Sequence, residues 1–61
     1  MRVGDKVLAE VEEIVGPLHL IVAIDGRLYR IRNETDRKYR RGEKLFLKVK
    51  SSSPVSFQVV K

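Results

Sequence analysis

Cysteine and tryptophan are absent from the 61 residues, and histidine occurs once. Without cysteine there are neither disulfides nor thiolate metal sites, so a small core has to be held by packing and turns alone. The longest apolar run, residues 20–24, is far shorter than the roughly 20 residues that span a bilayer. Met1-Arg2-Val3-Gly4-Asp5 contains no apolar stretch of the signal-peptide kind. A cytoplasmic protein without membrane insertion is therefore the expectation. Gly4, Gly16, Gly26 and Gly42 stand singly, with none of the spacing that cradles phosphates. The lone His19 has no carboxylate at a matching offset, and the Glu10, Glu12, Glu13 group lacks a second cluster that would make it a metal or acid–base site. Neither an enzyme nor a cofactor or metal is expected.

What the chain does have is period-2 alternation. Residues 6–15 alternate Val7, Ala9 and Val11 with Lys6, Leu8, Glu10 and Glu12, until Glu12-Glu13 breaks the phase, as a bulge or bend does. Gly16-Pro17 makes a turn, and residues 18–24 place Leu18, Leu20, Val22 and Ile24 on one face. Asp25-Gly26 is the signature of a two-residue hairpin turn. Residues 27–32 put Tyr29 and Ile31 on one side, with Leu28, Arg30 and Arg32 on the other. Residues 33–42 are polar and read as a long loop or one helical turn. Residues 43–50 alternate Leu45, Leu47 and Val49 with Lys44, Phe46 and Lys48, and residues 55–60 place Val55, Phe57 and Val59 inward. The predicted core is Val7, Ala9, Val11, Leu20, Val22, Ile24, Tyr29, Ile31, Leu45, Leu47, Val49, Phe57 and Val59. One all-β domain over residues 1–61 follows: a five-stranded small barrel, OB-like, with a Src-homology-type barrel as the alternative.

Charge is unevenly placed. Residues 1–26 hold two cations against five carboxylates, whereas residues 27–50 hold ten cations against three. Such a basic half attracts phosphate backbones or acidic proteins. In Arg37-Lys38-Tyr39-Arg40-Arg41 a tyrosine sits among four cations, a pattern suited to RNA or single-stranded DNA, since cations contact phosphates and an aromatic stacks a base. Arg30, Arg32 and Lys48 would extend that surface, and Phe46, flanked by Lys44 and Lys48, offers a second stacking platform. Tyr39 has an alternative role as a lid folded over the barrel end. Leu8, Ile21, Leu28 and Phe46 all fall on the outward side, which suits a protein partner or a homo-oligomer instead. An antiparallel pairing of the first strand with the fourth would set Glu10 and Glu12 against Lys44, Lys48 and Lys50, neutralising part of the basic surface.

The frames Val3-Gly4-Asp5-Lys6-Val7, Glu10-Val11-Glu12, Val22-Ala23-Ile24-Asp25-Gly26, Arg41-Gly42-Glu43-Lys44-Leu45 and Lys48-Val49-Lys50 resemble a TRAM-type OB domain. That resemblance implies RNA binding. Leu28-Tyr29-Arg30, the long charged loop and the short Gly16-Pro17 turn depart from its pattern. Gly42-Glu43-Lys44-Leu45-Phe46-Leu47-Lys48-Val49, Ser51, Ser53-Pro54 and Gln58-Val59 are similar to the small β-domain of flagellar hook-length control proteins, which implies protein contacts in a secretion apparatus.

Overall fold

The computed structural model describes residues 2–60, in which five strands form one curled, all-antiparallel sheet. They are β1 (Lys6–Val15), β2 (His19–Ile24), β3 (Arg27–Arg32), β4 (Lys44–Ser52) and β5 (Val55–Val59). Strand order is β3-β2-β1-β4-β5. Three strands joined by tight turns, with a fourth returning beside the first, make a Greek key, and the return is the loop 33–43.

Local chemistry accounts for the corners. Asp25 and Gly26 have φ of 50° and 80°, the paired positive values that a two-residue hairpin requires for strands of natural twist. Aspartate tolerates that region and glycine enters it without steric cost. In β1 the register with β2 shifts between Val11 and Glu13, so Glu12 is the extra residue of a bulge at the predicted phase break. A second irregularity falls between Val49 and Ser51 in β4. Each bends its strand and sharpens the twist, which lets the sheet curl. Because β1 is the longest strand and lies at the centre, it pairs with β2 on one side and β4 on the other.

Curling brings the inward residues together: Val11, Val22, Leu47 and Val49 are the largest fully buried side chains. Around them pack Ala9, Leu20, Ile24, Ile31, Leu45, Phe57 and Val59. Burying each large aliphatic side chain contributes about 1.5–3 kcal/mol. The core differs from expectation in two ways: Val7 and Tyr29 are only partly buried, and Tyr39 joins the core at 8% exposure. Leu18 and Val55, placed by alternation on the inward faces but outside the predicted core, are exposed at turn ends.

The curl stops short of closure. Strands β3 and β5 are the two edges of the sheet and are not hydrogen-bonded to each other. Side chains bridge the gap instead, Tyr29 meeting Phe57 edge-to-face at 5.1 Å between ring centroids, a favoured aromatic geometry. No helix occurs among the described residues, so none is long and apolar enough to cross a membrane.

Candidate nucleic-acid interface

The loop 33–43 is ordered by its own side chains. Asn33 Oδ1 accepts from the Thr35 amide at 3.0 Å and from the Thr35 hydroxyl at 2.7 Å, while its Nδ2 donates to the Arg37 carbonyl at 2.8 Å. Asparagine forms such turns because its short amide reaches backbone two residues on. Farther along, the Arg40 amide donates to Glu43 Oε1 at 3.1 Å, and Arg37 forms an ion pair with the same carboxylate. Gly42 and Glu43 then extend the ladder against Val11, through Gly42 N to Val11 O at 2.7 Å and Val11 N to Glu43 O at 2.8 Å.

This scaffold settles Tyr39's position. Its ring lies in the core, with the Arg37 guanidinium 5.0 Å from the ring centroid. Stacking a base would require Tyr39 to leave the barrel end, so the lid role replaces the stacking role expected from Arg37-Lys38-Tyr39-Arg40-Arg41. Arg37 is engaged with Glu43 and Tyr39, and Arg41 Nε donates to the Glu12 carbonyl at 3.1 Å. Lys38 and Arg40 are the loop cations left exposed without an ion pair or side-chain bond among the described residues.

On β4 the outcome is the reverse. The β1–β4 register sets Leu8 opposite Phe46, Glu10 opposite Lys44 and Lys6 opposite Lys48. Phe46 and Leu8 are each 51% exposed, and Lys6 Nζ lies 5.9 Å from the Phe46 ring centroid, within reach of a cation–π attraction. The expected neutralisation by β1 carboxylates is therefore mostly not made. Lys48 faces another lysine, Glu12 sits in the bulge, and Lys50 pairs with Glu34 of the loop at 3.9 Å. That contact and Arg37–Glu43 are the ion pairs among the described residues.

The remaining candidates lie elsewhere. Arg30 and Arg32 project from β3 opposite Ile21 and His19, three strands from Phe46 in a sheet whose neighbours are spaced about 4.8 Å apart. Leu28, opposite Ala23, is 64% exposed, while Ile21 is partly buried. Glu10 continues the Leu28–Ala23 row and separates it from the Leu8–Phe46 pair. The four outward apolar residues thus form two places rather than one face. Lys6 was not singled out by sequence reasoning. Its signal, a cation two residues before Leu8, gains meaning only from the strand register.

Two concave surfaces lie away from the β1–β4 face. At the barrel end, Ile14, Leu20 and Tyr39 floor a mostly apolar hollow rimmed by His19, Asn33 and Lys38. Along the seam, a groove of about 240 Å³ runs between Tyr29, Arg30, Ile31, Arg32 and Glu34 on one side and Lys50, Val55, Ser56 and Phe57 on the other. No cluster of three or more histidine or carboxylate side chains suited to a metal occurs among the described residues. No known protein family, curated protein or solved structure matches the chain.

Proposed function

We propose that the chain is a nucleic-acid-binding module, without catalytic machinery, that takes RNA or single-stranded DNA on the outer face of β1 and β4. Phe46 stacks a base with Leu8 beside it, and Lys6, Lys44 and Lys48 contact phosphates. The observation that carries this reading is the pairing of Lys6 with Lys48 across the strands beside an exposed aromatic ring. Like charges placed directly opposite oppose folding, and a bound polyanion relieves that cost. Base–aromatic stacking tolerates any base, so weak sequence preference follows.

The barrel is assigned to the OB type, a partly open five-stranded Greek-key barrel. Support comes from β1 pairing with both β2 and β4 and from the side-chain contact of β3 with β5. The resemblance to TRAM-type domains in the 3–7 and 41–50 frames points the same way. Here the turns after β1 and β4 are short, which leaves the strand face as the larger surface for a ligand.

A titration of labelled oligouridine at low and high salt tests the proposal. With roughly three phosphates neutralised, log affinity should fall against log salt with a slope of about −2, because each contact in a single strand releases about 0.7 counterions. Absence of binding at low salt would remove the nucleic-acid reading. The protein-interaction reading through Leu8, Ile21, Leu28 and Phe46 would then take its place, reduced to the Leu8–Phe46 pair.

A further inference from the structure

The bulge at Glu12 changes which side chain of β1 faces the barrel end. Val11 points inward opposite Val22, so unbroken alternation would turn Glu13 inward next. The extra residue instead sets Ile14 opposite the buried Leu20, on the inward side of the sheet. Bulges re-aim side chains in this way. Ile14 is nevertheless 45% exposed, whereas Leu20 and Tyr39, which line the same hollow, are buried. The hollow measures about 320 Å³, at the lower end of the roughly 300–1,000 Å³ of small-molecule sites. We propose that it binds a small apolar monocarboxylate, with the hydrocarbon body against Ile14, Leu20 and Tyr39 and the carboxylate on Lys38.

The rim selects this chemistry. Lys38 is the only lysine, arginine or carboxylate among the residues lining the hollow, and it forms no ion pair among the described residues. One free cation suits a monoanion, whereas a phosphate group is better held by several donors or a bidentate arginine. Asn33, also at the rim, is already engaged at both ends of its amide. Its Oδ1 accepts from Thr35 and its Nδ2 donates to the Arg37 carbonyl. No free amide is left there to read the edge of a nucleobase, whose polar groups would go unpaired against an apolar floor.

Peptide amides fare no better. Strand β2 is paired on both sides, by β1 and β3, and the Asn33 amide donates to the Leu18 carbonyl at 2.7 Å. A free acid brings one charged group for Lys38 and leaves no other polar group stranded. This site shares no residue with the β1–β4 face, so the two readings stand or fall separately.

The test is a titration of nitrogen-15-labelled protein with 3-phenylpropionate, followed by backbone amide signals. Saturable shifts at Ile14, Leu20, Lys38 and Tyr39 are expected, with Leu8 and Phe46 still. The neutral 3-phenylpropanamide, of the same shape, should bind about fivefold more weakly, the upper scale of an exposed ion pair. Lys38→Met should lose acid affinity by the same factor while keeping its affinity for the amide. Ile14→Glu sets a carboxylate in the hollow and should abolish acid binding while oligouridine binding persists. Phe46→Ala should leave acid binding unchanged. Equal affinity for acid and amide would overturn recognition of charge by Lys38. Tighter binding of uridine 5′-monophosphate, or of a capped glycyl-glycyl-phenylalanine with a free carboxyl end, would overturn the free acid as the ligand. Absence of saturable shifts at millimolar acid would remove the site altogether.

Discussion

The loop 33–43 and the outer face of β4 are both rich in cations with one aromatic among them, yet they do opposite things. In the loop, Tyr39 is buried, Arg37 covers its ring and pairs with Glu43, and Arg41 ties back to β1. On β4, Phe46 remains half exposed and Lys44 and Lys48 form no ion pair among the described residues. The denser motif covers one end of the curled sheet, and the sparser one is left exposed. Charge density along a chain therefore does not measure charge available at the surface. What decides is whether neighbouring carboxylates and carbonyls lie within reach once the strands pair.

The largest effect that would sharpen this contrast is on stability at Tyr39. Tyr39→Ala should cost about 3 kcal/mol in chemical denaturation, the scale of losing a large buried aromatic. Oligouridine affinity of the molecules that remain folded should change little. Phe46→Ala should invert the pattern, lowering affinity about tenfold, which lies within the 1–3 kcal/mol attributed to stacking one base. Its denaturation midpoint should stay close to that of the parent chain. If Tyr39→Ala proves benign for folding but harmful for binding, the division of roles between the two regions is broken.

Smaller effects probe the lysine pair and the loop. Lys48→Glu replaces a like-charge pair with an opposite one across from Lys6, so thermal unfolding should show a gain of about 0.2–1 kcal/mol. The same change should weaken oligouridine binding severalfold in anisotropy. Opposite signs in the two assays would mark Lys48 as a residue whose charge serves binding rather than folding. Glu43→Gln removes the Arg37 ion pair at the surface and should destabilise by no more than about 1 kcal/mol, with binding at the β4 face unchanged.

Much of the fold was readable along the chain because alternation and turn chemistry act locally. The bounds of β1 and β3, the Asp25-Gly26 hairpin and the bulge at Glu12 follow from neighbouring residues. Burial of Tyr39 was less legible, since four flanking cations outweigh a single aromatic in any local reading. The pull on it comes from the apolar barrel end and from Asn33, Thr35 and Glu43 shaping the loop. Pairing of β1 with β4 was anticipated, but its register was not. A shift by two residues would have placed Lys48 opposite a different side chain on the same face, and nothing local to β4 distinguishes the two. The division of Leu8, Ile21, Leu28 and Phe46 into two places likewise depends on strand order, which brings Glu10 between them.

The most direct test of where the ligand sits is to follow backbone amide signals of nitrogen-15-labelled protein during an oligouridine titration. Shifts concentrated at Lys6, Leu8, Phe46 and Lys48, with the 37–41 amides nearly still, are the predicted result. Shifts centred on residues 37–41, or none anywhere at low salt, would contradict the assignment of the β1–β4 face as the binding surface.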